Sequence, residues 1–198
     1  MTLCRYSSLI EVGCDEAGRG SLCGPVIAAA VILKKDFYNE DLNDSKKISL
    51  NKRNELAKII HEEAIACEVG IVNASEIDNI NILNASIKAM HNALDKIKIP
   101  FEIILVDGPH FKKYKKSKHE CIIRGDSKNL AIAAASIIAK TYRDNLMLEL
   151  HEKYPKYKWC RNKGYPTVEH RDAIKKYGIN KYHRKSFKLL NNQTTLNI

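Results

Sequence analysis

The sequence predicts an α/β fold, a sheet core followed by a helical and basic C-terminal lobe, and three observations carry that expectation. Short β-rich apolar runs come early, segments of helical period lie between and after them, and acids recur where apolar runs give way to turns. At 198 residues the chain is long enough for one well-cored domain, expected over residues 1–190, with residues 191–198 as a polar tail.

The elements follow in order. Residues 9–14 and 25–33 read as neighbouring strands separated by a glycine loop, and residues 67–72 as a third. A helix is expected over 51–66, with Ser49 as its N-cap. Leu83, Ile87, Met90, Leu94 and Ile97 then recur at four- and three-residue steps, the stripe of an amphipathic helix that Pro100 stops. Residues 101–106 form a short apolar strand ending in Asp107-Gly108-Pro109, a turn signal. A basic loop (110–117) precedes a strand over 119–124; after Gly125-Asp126-Ser127 an alanine-rich helix runs from about 129 to 154, where Pro155 ends it. A last helix is expected over 168–177, capped by Thr167 and followed by Gly178.

Charge is unevenly placed. Lys and Arg number 33 against 23 Asp and Glu, a net charge of +10, and residues 153–188 hold twelve of those bases and only two of the acids. Tyr154, Tyr157, Trp159, Tyr165, Tyr177, Tyr182 and Phe187 are interleaved with them, which suits a surface that follows phosphates and stacks on sugars or bases. A solvated lysine-rich face is the competing reading. Cys4, Cys14, Cys23, Cys67, Cys121 and Cys160 show neither a C-x-x-C pair nor zinc-like spacing, so they read as buried, reduced thiols of a cytosolic protein. The chain begins with no secretory pattern and has no apolar segment of bilayer length, so a soluble, cytoplasmic protein is expected.

Asp15, Glu16, Asp107 and Asp126 each stand at a junction between an apolar run and a turn, where ligands bind in α/β sheets. Taken singly, each is most simply a turn or cap residue. If they converge, two unit charges about 4 Å apart cost roughly 4 kcal/mol at an effective dielectric near 20, and a divalent cation relieves that repulsion. Oxygen ligands without a Cys/His cluster favour Mg²⁺ or Mn²⁺; two such ions about 3.5–4 Å apart can activate a water and stabilise a leaving oxygen on a phosphodiester. Adjacent Asp15 and Glu16 would face opposite sides of a regular strand, so the strand must end or twist there. Asp144 lies roughly 25 Å along a helix from Asp126 at about 1.5 Å per residue, and reads as a structural partner of a neighbouring base. Gly18-Arg19-Gly20 is no dinucleotide fingerprint, because Cys23 occupies the place of the third glycine.

Together these motifs resemble those of bacterial ribonuclease HII. The resemblance runs in order from about residue 9 to 187: Asp15-Glu16-Ala17-Gly18-Arg19-Gly20, Gly24-Pro25-Val26, Asp44-Ser45-Lys46-Lys47, Val106-Asp107-Gly108, Gly125-Asp126-Ser127-Lys128, Ala134-Ala135-Ser136-Ile137-Ile138-Ala139-Lys140, Arg143-Asp144, Lys163-Gly164-Tyr165-Pro166-Thr167 and His183-Arg184-Lys185-Ser186-Phe187. It implies an RNase H-like fold, with a central mixed sheet flanked by helices, and a monomeric endonuclease. That enzyme cuts the RNA strand of RNA/DNA hybrids and the 5′ side of single ribonucleotides in duplex DNA, leaving a 3′-hydroxyl and a 5′-phosphate.

By motif, Asp15, Glu16, Asp107 and Asp126 would be the catalytic, metal-binding carboxylates, with two Mn²⁺ or Mg²⁺ ions. Gly18, Arg19 and Gly20 would read the ribose 2′-hydroxyl. Tyr165 would stack on the sugar of the following deoxynucleotide, and Lys46 and Lys47 would hold phosphates. His183, Arg184 and Ser186 match a family motif, as substrate contacts or as packing of the lobe. Ser21-Leu22-Cys23 stands where the family commonly has Pro-Leu-Ala, and Gly108-Pro109 replaces a commoner Gly-Asn; neither change removes an acid. Residues 193–198 (Gln193, Thr194, Thr195, Leu196, Asn197, Ile198) resemble the sliding-clamp pattern Gln-x-x-Leu-x-Phe, with Ile198 in place of the aromatic; a frayed terminus is the alternative. The sister ribonuclease HIII normally adds an N-terminal domain, for which Asp15 stands too close to the start. A noncatalytic basic RNA-binding protein would leave the four carboxylates without a role.

Overall fold

The computed structural model describes residues 3, 5, 9–42 and 48–190. Lys46, Lys47 and residues 193–198 lie outside the described residues. The elements are β1 (Glu11–Ala17), β2 (Val26–Leu33), α1 (Leu50–Glu63), β3 (Ala64–Val72), α2 (Ala74–Ile80), α3 (Ile82–Leu94), β4 (Ile103–Asp107), β5 (Lys118–Ile122), α4 (Leu130–Lys153), α5 (Trp159–Asn162) and α6 (Val168–Tyr177), with single 3₁₀ turns at Gly125–Ser127 and Pro155–Tyr157.

The five strands form one mixed sheet in the order β3-β2-β1-β4-β5. β3, β2 and β1 are antiparallel neighbours, whereas β4 and β5 run parallel to β1. β2 is buried along its whole length, which explains its unbroken apolar run. Its alternate residues serve two layers: Val26, Ala28, Ala30 and Ile32 pack with Ala85, Ala89 and Met90 of α3, while Ala29, Val31 and Leu33 pack with Leu56 and Ile60 of α1 and the alanine face of α4. Two glycines set the spacing of these layers. A side chain at Gly13 would overlap the Ala131 carbonyl of α4, and one at Gly70 the Ala89 carbonyl of α3, so only glycine lets the two helix backbones lie this close to the sheet.

Several boundaries differ from the sequence expectation. α1 ends at Glu63, because Ala64 is already extended and opens a longer β3. The apolar stripe at 83–97 belongs to the second of two helices: Asn81, at φ 64°, breaks the chain between α2 and α3, and its side chain accepts the Asn84 N–H as the cap of α3. Ile97 falls in the turn beyond α3, and β5 stops at Ile122, before Arg124 turns left-handed at φ 56°. α4 and α6 match expectation, with Asn129 and Thr167 accepting the Ile132 and His170 N–H groups. Among the described residues no helix is long and apolar enough to cross a membrane. Cys14 and Cys23 are buried free thiols as expected, while Cys67, Cys121 and Cys160 are only half-buried.

The C-terminal lobe has its own small core. Trp159 is fully buried and stacks on Tyr157 at 4.9 Å between ring centroids, with His170 and His183 against the pair. These two aromatics therefore hold the lobe together instead of facing a ligand, whereas Tyr165 and Tyr177 stay accessible.

Candidate active site

Strand register brings the first two acids together. The parallel ladder of β1 and β4 ends at Cys14↔Val106, so Asp15 and Asp107 are the next residues on adjacent strands. β1 continues alongside β2 as far as Ala17↔Ile27, which leaves its other edge open from Asp15 onward. Asp15 lies on the α4 face with Gly13 and Ala17, and it accepts hydrogen bonds from Ser136 of α4 and, at 2.7 Å, from the Glu16 N–H. Because the strand edge is open there, Glu16 reaches the same pocket even though strict alternation would send it to the opposite face.

That pocket has a volume of about 530 Å³ and is lined by Asp15, Glu16, Asp107, the Ala17–Gly20 loop, Ser136, Lys140 and Tyr165. Burial, then the charges of Glu16 and Asp107, push the Asp15 carboxyl well above the ordinary carboxylate range. Glu16 is also raised, chiefly by burial, with Arg19 opposing and Asp107 adding to the shift. Asp107 Oδ1 accepts the Gly125 N–H at 2.7 Å, which ties β4 to the turn that carries Asp126. Asp126 is buried in that turn, next to the pocket and outside its lining. The structure thus gathers three of the four carboxylates and places the fourth in the adjoining turn.

Among the described residues no three acids, histidines or cysteines form a ready-made chelate. The individual contacts explain why: Asp107 is turned toward Gly125, and Glu16 Oε1 pairs with Arg19 Nη1 at 3.3 Å.

The glycine loop forms one wall. Gly18, at φ 94°, is in a conformation that favours glycine, and beside Gly20 there is open space. Arg19 extends its side chain toward Glu16. Tyr165 also lines the pocket, with Lys140 Nζ 5.4 Å from its ring centroid. The remaining candidates stand elsewhere. Arg184 is fully buried and donates to the Gly24 and Arg19 carbonyls; His183 is buried against Asn180; and Ser186 hydrogen-bonds Asp78 through both its N–H and its hydroxyl. None of these three lines the pocket: Arg184 and His183 are buried in the packing of the lobe, while Ser186 is exposed and bonds Asp78 of α2. The expected structural pairing of Asp144 is found, with Arg53 at 2.9 Å and Lys140 at 2.7 Å. Ser136 and Lys140 were not singled out from the sequence. Their signal was a serine and a lysine at i, i+4 interrupting an otherwise apolar, alanine-rich helix.

Residues 12–190 match the family model described as ribonuclease HII. The chain belongs to the ribonuclease HII family. It is 60% identical over 189 residues to a ribonuclease HII of Christiangramia forsetii, covering 95% of this chain and 96% of that one. Among solved structures it is similar to the ribonuclease HII of Archaeoglobus fulgidus in complex with PCNA, at TM-score 0.76 and 27% identity, covering 95% and 98% of the two chains. The ribonuclease H2 of Pyrococcus horikoshii OT3, at TM-score 0.77 and 24% identity over 90% of this chain and 94% of that one, shares the fold. The mixed sheet with its helices is therefore the RNase H-like fold, and the chain is a type 2 ribonuclease H, an endoribonuclease. That membership sets aside both the ribonuclease HIII and the noncatalytic RNA-binding readings.

Proposed function

We propose that this ribonuclease HII is a divalent-metal-dependent enzyme that cuts the RNA strand of RNA/DNA hybrids and nicks duplex DNA on the 5′ side of a single embedded ribonucleotide. The products carry a 3′-hydroxyl and a 5′-phosphate. The observation that carries this reading is one pocket lined together by three crowded carboxylates, the Gly18–Gly20 loop and Tyr165.

Asp15, Glu16 and Asp107, with Asp126 from the adjoining turn, are the residues to hold the metal. Two features fit them to it: every candidate donor is a hard carboxylate oxygen, and burial with mutual repulsion raises Asp15 and Glu16, a strain that a bound cation offsets. Mg²⁺ or Mn²⁺ there would supply activation of a water and stabilisation of the leaving oxygen. The protein's own groups do the rest. Ser136 orients Asp15, and the Gly125 N–H orients Asp107. The glycine loop, with no Cβ at Gly18 or Gly20, lets backbone groups approach the ribose 2′-hydroxyl, which distinguishes RNA from DNA at that position. Tyr165 stacks on the following deoxyribose, and Lys140 beside it, with Lys46 and Lys47, meets phosphates.

Mapping the products of a duplex with one ribonucleotide tests this reading. A single nick 5′ of the ribonucleotide is expected, and Tyr165→Ala is expected to weaken cutting there more than binding to plain duplex DNA. Equal losses on both would remove junction reading. We also infer a sliding-clamp contact, for which an archaeal neighbour solved in complex with PCNA is a precedent, with residues 193–198 as the candidate segment from their sequence pattern. A clamp pull-down with the chain shortened before residue 193 should lose recovery, and equal recovery removes that role.

A further inference from the structure

We infer that Arg143 is a positioning residue that joins the β1–β2 loop, which carries the ribose-sensing glycines, to the loop of Tyr165, so that the two halves of junction recognition are held as one body. This rests on the substrate reading above. Arg143 lies on α4, three residues past Lys140, and is fully buried. Its guanidinium donates in three directions: from Nε to the Pro25 carbonyl at 3.2 Å, from Nη2 to the Cys23 carbonyl at 3.0 Å and from Nη1 to the Lys163 carbonyl at 2.9 Å. The first two acceptors follow the glycine loop in sequence, and the third precedes Tyr165 by two residues. A planar group with fixed donors sets the angle between two such loops; an ammonium cannot.

The same guanidinium touches both recognition elements. It lies 5.3 Å from the centroid of the Tyr165 ring, and a side chain at Gly18 would overlap its Nε and Cδ. The loops also meet directly, since the Leu22 N–H donates to the Gly164 carbonyl at 2.8 Å and a Cβ at Gly164 would come within 2.6 Å of the Cys23 carbonyl oxygen. On the far side Arg184 donates to Gly24 and Arg19, fixing the loop against the lobe. Burying a cation on carbonyls alone is costly compared with apolar packing of the same volume. Three simultaneous, directional contacts across two loops are what apolar packing would not provide. Recognition of the ribose and of the sugar after it is therefore set at one geometry, a degree of placement on which catalytic efficiency depends steeply.

The test compares kcat/KM on duplex DNA containing one ribonucleotide with kcat/KM on a continuous RNA/DNA hybrid of the same length. Arg143→Lys keeps the charge and removes the fork. The ratio of the two rates is expected to fall about tenfold, the lower end of effects seen when supporting groups are removed. Combining Arg143→Lys with Tyr165→Ala should give no further fall, because both act on one element. Gly164→Ala leaves Arg143 intact and wedges the loops apart; the same fall is expected, so an unfolded Arg143→Lys chain would not spare the inference. A wild type that nicks the duplex with one ribonucleotide, with folded variants whose ratios are unchanged or whose losses multiply in the double variant, overturns the joint alone. A wild type that cuts the hybrid and leaves the duplex with one ribonucleotide uncut overturns the substrate reading and the joint with it.

Discussion

Asp144 and Asp15 are both buried acids packed at α4, and their surroundings are opposite. Asp144 is enclosed by cations, Arg53 at 2.9 Å and Lys140 at 2.7 Å. Asp15 is pressed against Glu16 and Asp107, and its hydrogen bonds come from a hydroxyl and a backbone N–H, with no base among its named partners. Burial alone therefore does not mark a functional acid. What separates the two is whether the protein supplies the countercharge itself or leaves it to come from solution.

The comparison is sharpened by removing one acid from each region. Asp107→Asn is expected to lower the nicking rate at least about 100-fold, in line with the cost of disturbing metal sites, while thermal unfolding shows no loss of stability because a repulsive charge has gone. Asp126→Asn should match it in rate. Asp144→Asn should do the reverse: breaking a buried pair and leaving its cations unmatched costs about 3 kcal/mol of stability, read by denaturant unfolding, with activity per folded molecule reduced less than tenfold. If Asp144→Asn instead abolishes cutting without unfolding the chain, the distinction fails.

Next in size is the response to cations. Mg²⁺ or Mn²⁺ at 100 times its dissociation constant stabilises the folded state by about 2.7 kcal/mol, so the melting temperature should rise on addition and return with chelator. Asp15→Asn should flatten that response and Asp144→Asn should keep it. The smallest effect is with pH. Asp15 and Glu16 hold their protons more tightly folded than unfolded, so in the metal-free protein their contribution to stability grows as pH falls through their raised folded values and is complete below the ordinary carboxylate range. It is lost again as pH rises. Stability scans of the metal-free protein against its Asp15→Asn variant should show this slope shrinking in the variant.

Much of this contrast was legible in the residues. Asp107 could be placed at a strand end because the apolar run before it is a buried strand, whereas β1 runs past Asp15 and Glu16 to Ala17; the pairing of Asp144 with a neighbouring base was legible because it lies on a helix whose composition is unambiguous, though Lys140 and Arg53 were not named. The break at Asn81 was missed because Ala74–Ile80 is a short helix with a weak apolar pattern, and its boundary depends on one left-handed asparagine. The lobe was harder still. Its turns place Lys158 and Lys163 at φ 53° and 47°, where sequence cues look for glycine or asparagine. Arg184 and His183 matched a motif whose role, substrate contact or packing, the residues left open; the lobe buries Arg184 where carbonyls of the β1–β2 loop, about 160 residues earlier, accept its donors. No local pattern encodes a contact of that range.

The central claim is that the crowded carboxylates are the metal-dependent cutting site, and it is tested most directly by nicking of a duplex with one ribonucleotide. The unmutated and Asp107→Asn chains are compared in Mg²⁺, in Mn²⁺ and in chelator. Cutting by the unmutated chain with either metal, none in chelator, and at least a 100-fold loss in the variant with its fold intact is the predicted result. Undiminished cutting in chelator, or by a folded Asp107→Asn chain, would contradict it.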